Sequence, residues 1–114
     1  YTMGNLNQSF AALADPTRLG IVVHLARSEA TVSQLVDRFA LTQPTITSHL
    51  NVLEEAGLIS RTRVAQTRVC RLRAEELNRI SDWLTQLQSV VEGNYRRLDK
   101  LLQELNQPQS EKKK

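Results

Sequence analysis

Five arginines, Arg61, Arg63, Arg68, Arg71 and Arg73, stand in a short stretch that contains no acidic side chain. Guanidinium groups at that density create a local positive field suited to the phosphates of a nucleic acid. The competing account is an edge hairpin whose arginines maintain solubility and discourage strand-to-strand aggregation. Upstream, Gln43, Thr45, Thr47, Ser48 and Asn51 offer short amide and hydroxyl side chains at the start of a candidate helix. In a major groove, glutamine pairs with both edge groups of adenine, serine and threonine bond several bases, and free helix-start amides hold a phosphate. Taken alone, such a polar face is better explained as solvated surface. The basic segment that follows it favours nucleic acid.

Other chemistries find less to work with. His49 lies where the polar side of that helix meets its apolar side, and two roles are open to it, a satisfied boundary residue or a DNA contact. His24, in a segment rich in apolar residues, reads as a hydrogen-bonded core histidine rather than a ligand or pH sensor. The single cysteine, Cys70, falls in a candidate strand and reads as a small core residue; a redox switch built on it would need an intermolecular partner. There is no glycine-rich phosphate loop, nucleophile elbow or His-Glu metal motif, so the chain reads as a non-enzyme with no cofactor.

These groups need a scaffold. A chain of 114 residues suits one domain. With 40% apolar and 24% charged residues, four glycines and three prolines, it has the composition of a folded protein rather than a disordered one. Aromatic residues, at 4%, are too few for the stacking platforms that bind single-stranded nucleic acid. The formal charge of +3 suits a polyanion without establishing one. A single cysteine fits a reducing interior, no apolar run approaches the roughly 20 residues of a membrane span, and the N-terminus lacks a signal pattern. A cytoplasmic location with no membrane partner is therefore expected. Met3 is the only methionine, so Tyr1 and Thr2 are expected to precede a native start.

Leu6, Phe10 and Leu13, at i, i+4 and i+7, predict a first helix over 6–14. Asp15-Pro16 reads as the start of a second helix running to about Arg27. Its apolar set of Leu19, Ile21, Val22, Val23, Leu25 and Ala26 is too broad for one stripe and predicts a central helix buried on several sides. Thr31-Val32-Ser33-Gln34 has the form of a capping box and opens a short third helix ending at Phe39 or Ala40. Thr42 caps a fourth, from Gln43 to Ala56, with Ile46, Leu50 and Leu53 facing the core and Pro44, Ser48, Asn51 and Glu55 opposite. Gly57 stops it. Two short helices separated by a tight turn make a helix-turn-helix. Residues 58–64 and 67–72 predict a β-hairpin, although its break at Ala65-Gln66 lacks the usual Asn-Gly or Gly-Gly signal. The expected fold is mainly α with a small β-hairpin, one domain over 4–105 followed by a frayed tail over 106–114.

Ala74 to about Leu105 predicts one long last helix. Leu77, Leu84, Val91, Leu98 and Leu105 recur every seven residues, and Ile80, Leu87 and Leu101 form a second series whose missing member is Asn94. A helix of ~30 residues spans about 45 Å and outreaches the core of a small domain, so part of its seam is expected to pack on another subunit in a homodimer. Asn94 either fixes the register of that seam or marks where the helix leaves it.

The stretch from Thr42-Gln43-Pro44-Thr45-Ile46-Thr47-Ser48-His49-Leu50-Asn51 through Val52-Leu53-Glu54-Glu55-Ala56-Gly57-Leu58-Ile59 resembles the recognition helix and strand entry of the ArsR/SmtB family of winged helix-turn-helix repressors. Ala14-Asp15-Pro16-Thr17-Arg18-Leu19 resembles that family's opening of its second helix, and the similarity covers roughly Phe10 to Leu105. The resemblance implies a dimer joined by its first and last helices, here Leu6, Phe10, Leu84, Leu87, Val91, Asn94, Leu98 and Leu101. Such a dimer binds a two-fold operator and leaves it when an effector arrives. Carried over position by position, Gln43, Thr45, Thr47, Ser48 and His49 are the operator-reading or backbone-contacting residues, with Arg61, Arg63 and Arg68 in the wing. Ser48 departs from the basic residue many members have, and Ala65 from a wing-tip glycine, which leaves the wing geometry open.

Metal sensing is that family's best-known activity, and the residues here argue against it. Zinc or arsenite sites need thiolates, imidazoles or carboxylates at close spacing, whereas Thr31-Val32-Ser33-Gln34-Leu35-Val36-Asp37 contains no cysteine pair and the last helix no histidine. Asp82, Glu92 and Asp99 lie seven to ten residues apart without nitrogen or sulfur partners and read as a solvated face. The expectation is a metal-independent, sequence-specific repressor of double-stranded DNA, with a winged-helix module for protein association as its rival. The residues do not specify an effector: a small molecule at the dimer seam, a partner protein, a thiol oxidant, or none beyond regulated expression of the repressor itself.

Overall fold

The computed structural model describes the backbone of residues 3–106 and the side chains from residue 6 onward. Helices α1 (Met3–Leu13) and α2 (Pro16–Arg27) are separated by Asp15, whose backbone is extended. The Asp15 carboxylate accepts hydrogen bonds from the amides of Thr17 and Arg18 at 2.9 and 3.1 Å. Pro16 opens α2 at a position where no amide partner is needed. Ile21, Val22 and Leu25 are buried on the side of α2 that meets α1 and the rest of the fold, but Leu19 and Val23 remain 48% and 51% exposed. The expectation of burial on several sides is thus corrected. One apolar stripe is covered by neighbouring elements, and the other is left open. His24 is half-buried against Phe39 and not a core histidine.

A two-residue strand, β1 (Ala30–Thr31), leads directly into α3 (Val32–Phe39). Thr31 caps that helix. Its hydroxyl accepts from the Gln34 amide at 3.1 Å, while Gln34 Oε1 accepts from the Thr31 amide at 2.9 Å, the reciprocal box expected from the residue types. Ala40 then turns the chain with φ at 55°, a left-handed conformation unusual for a side chain with a Cβ. Helix α4 (Gln43–Glu55) follows from its cap Thr42, buries Ile46, Leu50 and Leu53, and stops before Gly57, where φ is 79°.

Strands β2 (Ile59–Val64) and β3 (Thr67–Leu72) form the expected antiparallel hairpin, with Arg63 opposite Arg68 and Arg61 opposite Cys70. The sheet is wider than expected. β1 pairs with the outer edge of β3, Ala30 opposite Cys70 and Thr31 opposite Val69, giving the order β1-β3-β2. Between β2 and β3 the chain reverses in two residues, with Ala65 at φ 57°. Leu6, Ile21, Leu35, Ile46, Leu50, Leu53, Leu58, Ile59 and Cys70 have essentially no exposed surface and make the core. Each such aliphatic side chain contributes about 2 kcal/mol relative to leaving it in water.

Helix α5 spans Ala74–Asn106. Near its start Glu76 is buried, where an unpaired carboxylate would be costly. Ser9 Oγ donates to it at 2.6 Å and Arg79 at 3.1 Å, tying α1 to the first turns of α5. The chain divides after Arg79 into two compact units. In the second, Leu84, Leu87, Val91, Leu98 and Leu101 are 40–55% exposed, and Asn94 accepts a hydrogen bond from Arg97. Of the first-helix residues assigned to the dimer seam, Leu6 is already buried within the chain and Phe10 is half-buried. Asn106 is still helical; the rest of the expected tail, 107–114, and the expected extension Tyr1-Thr2 lie outside the described residues. Among the described residues no helix is long and apolar enough to cross a membrane.

Candidate nucleic-acid interface

The start of α4 presents a face without charge. Gln43, Pro44, Thr45, Ser48 and Asn51 are exposed and Thr47 is half-buried beside them. The Thr42 and Thr45 hydroxyls are 2.9 Å apart and share a hydrogen bond, so Thr45 is partly engaged in closing the helix start. The first turn contains no acidic residue. Pro44 has no amide hydrogen and the Thr45 amide donates to Thr42 Oγ1 at 3.4 Å, so the positive end of the helix dipole is left with no acidic side chain to neutralise it.

His49 turns toward the start of α2. Its Nδ1 lies 3.3 Å from Arg18 Nη1 and 3.9 Å from Asp15 Oδ2, and its side chain is 19% exposed. Arg18 is itself fixed by donating from Nε to the Ala12 carbonyl at 2.6 Å. The Arg18 amide holds the Asp15 carboxyl below its ordinary value, with His49 and the Arg18 side chain acting in the same direction and desolvation opposing them. Of the two roles open to His49, the boundary role is the one for which this geometry supplies partners.

The five arginines separate into distinct groups. Arg61 donates to Glu54 Oε1 from Nε at 3.1 Å and from Nη2 at 2.5 Å, and to Asn51 Oδ1 at 2.6 Å, so β2 is clamped to α4. Arg71 pairs with Glu29 at 2.6 Å and Arg73 lies 3.7 Å from Glu75. Arg63 and Arg68 are exposed and have no carboxylate partner among the described residues. With Thr31, Ser33, Gln43 and Gln66 they border a recess of about 210 Å³ between the starts of α3 and α4 and the hairpin. Two helix starts and two unpaired guanidinium groups around one polar recess form a cradle for an anion the size of a phosphate. Sequence reasoning missed Asn51 and Glu54 as the residues that position Arg61, and Arg18 as the partner of His49. Only Glu54 had a signal, a charge of suitable sign on a neighbouring element; the neutral Asn51 and the arginine beside His49 had none.

Cys70 is fully buried between Ala30 and Arg61 in the sheet register, and burial pushes its thiol above the ordinary range. No group of three or more His, Cys, Asp or Glu side chains converges among the described residues.

A polar helix face, a preceding helix that braces it and a sheet carrying unpaired arginines beside it define a winged helix-turn-helix DNA-binding protein. Residues 15–61 match the family described as bacterial regulatory protein, arsR family. The chain is 32% identical over 79 residues to the transcriptional repressor SdpR of Bacillus subtilis, a match covering 69% of this chain and 88% of that one. A crystal structure of an ArsR family transcriptional regulator superposes with a TM-score of 0.74 at 34% identity, covering 81% of this chain and 95% of the other. A solution structure from Mycobacterium bovis, described as a homodimeric winged helix-turn-helix DNA-binding domain, shares the fold with a TM-score of 0.64 at 22% identity, over 83% of this chain and 85% of that one. The chain belongs to the ArsR family of transcriptional regulators, as the resemblance in its recognition-helix segment implied.

Proposed function

We propose that this chain is a homodimeric repressor that reads an inverted-repeat operator in double-stranded DNA in the cytoplasm, and that its operator affinity does not depend on a metal ion. The observation that carries this reading is the exposure of the uncharged amide and hydroxyl face of α4 beside Arg63 and Arg68, two wing arginines with no carboxylate partner among the described residues. In this reading Gln43, Thr47 and Ser48 meet base edges in the major groove, Thr45 and the positive end of the α4 dipole hold a phosphate, and Arg63 and Arg68 follow the backbone. Arg61 fixes the wing angle through Glu54 and Asn51, and His49 steadies α4 against α2 at the margin of the contact. The exposed leucines and Val91 of α5 supply the dimer seam, with Phe10 of α1, and Asn94 is its polar position. Repression is the activity named for SdpR, whose chain this one largely covers. Metal independence is supported by the donor chemistry, since the one thiol is buried and His49 faces an arginine.

Competition binding with a labelled duplex tests this. A selected inverted repeat, its half-sites about one helical turn (~10 bp) or a multiple apart, is expected to bind more tightly than scrambled DNA, with affinity falling steeply as salt rises. Gln43→Ala and Ser48→Ala should weaken specific binding more than non-specific binding. Arg63→Ala should weaken both and lower the salt slope by about one unit. Micromolar zinc or a chelator should change affinity by no more than a few-fold. Equal affinity for scrambled and selected duplexes would overturn the reading.

A further inference from the structure

The apolar stripe that α2 leaves uncovered does not face open solvent alone. Leu19 and Val23 form one wall of a cleft of about 440 Å³, and Phe39, the last residue of α3, forms the other. Gly20 makes this approach feasible, because a Cβ there would lie 2.9 Å from Phe39 Cε1. His24 stands edge-on to the Phe39 ring, with centroids 6.5 Å apart and planes at 81°. At the rim stand two arginines from different helices, Arg27 and Arg38, neither of them ion-paired among the described residues. The Arg38 guanidinium lies 5.8 Å from the Phe39 ring centre, within reach of a group seated against that ring.

We propose that this cleft between α2 and α3 is a binding site for a small amphipathic carboxylate, one with a ring-sized apolar body and one anionic end. The volume, about 440 Å³, is that of a single small-molecule site. Leu19, Val23 and Phe39 cover an apolar body and offer it no hydrogen bonds, which favours a hydrocarbon ring over a hydroxylated sugar. Arg27 and Arg38 supply the planar, forked donors that a carboxylate accepts in pairs. The site is separate from the α4 face and wing used for DNA, so it stands whether or not the operator reading does. Its lining ends at Phe39, one residue before the left-handed Ala40 in the turn between α3 and α4.

The test is a titration of 2-naphthoate into the full chain without DNA, followed by fluorescence and calorimetry. Saturable binding at one molecule per chain is expected, with a submillimolar dissociation constant. The neutral isostere 2-naphthamide should bind about tenfold more weakly, and Arg27→Gln and Arg38→Gln should each weaken naphthoate binding by about tenfold, the loss typical of a charge-assisted hydrogen bond. Both arginines are exposed, so the variants are expected to keep the wild-type circular dichroism spectrum. Non-saturable binding, equal affinity for the amide, or indifference to both arginine substitutions would overturn the proposal. So would binding that vanishes as protein concentration rises, which would assign the cleft to a second copy of the chain.

Discussion

Arg61, Arg63 and Arg68 lie on one hairpin, yet among the described residues only Arg61 has a carboxylate partner, 2.5 Å from Glu54. By residue type and spacing the three are equivalent, because a pair such as Glu54–Arg61 or Glu29–Arg71 depends on how the intervening chain turns. The same limit applies to His49, whose position at a face boundary is legible in the helix period while its partners on α2 are not. Asp15 was more readable, since a cap acts on amides two and three residues away. Its carboxyl is held below the ordinary value of 3.8, so the stabilisation from its charged form is present above that value and is lost as pH falls through the lower, folded one. Thermal melts of the native chain and of Asp15→Ala between pH 3 and 7 should therefore show the native chain more stable at neutral pH. That advantage should shrink as pH drops below about 4.

Among the elements, those encoded by local rules were legible in the sequence and those made by distant pairing were not. The boxes and caps at Thr31 and Thr42, the stop at Gly57 and the buried stripe Ile46, Leu50 and Leu53 all follow from residues within one or two turns. Strand β1 is only two residues long and exists because Cys70 and Val69 arrive beside it, which no periodicity near residue 30 signals. The breadth of the α2 apolar set was real, but it signified a cleft rather than full burial. The missing glycine at the wing tip has a measurable cost. Ala65 occupies the left-handed region at φ 57°, where a Cβ is strained and glycine is not. Ala65→Gly should raise unfolding stability by about 1 kcal/mol in denaturant titrations without altering the strand register.

At the scale of the molecule, most of the exposed large apolar side chains among the described residues lie on α5, where Leu98 is 52% and Leu101 55% exposed. Because these side chains are accessible in the single chain, a charge there should leave its fold intact while opposing association. Leu98→Glu is expected to give a folded monomer by light scattering and to lose most of its preference for a two-site duplex over a single half-site. An unchanged dimer would place the seam elsewhere. A different kind of unity arises at Thr31, which both pairs with Val69 at the edge of the sheet and caps α3. Opening that strand edge removes the acceptor of the Gln34 amide, so the wing's inner edge and the first turn of α3 should unfold locally as one cooperative unit. In native-state hydrogen exchange the Gln34 amide and the β1–β3 ladder are then expected to report one shared opening free energy. Thr31→Ala should lower both together, so that the part of the protein assigned to the backbone and the part that braces the recognition helix loosen at the same time.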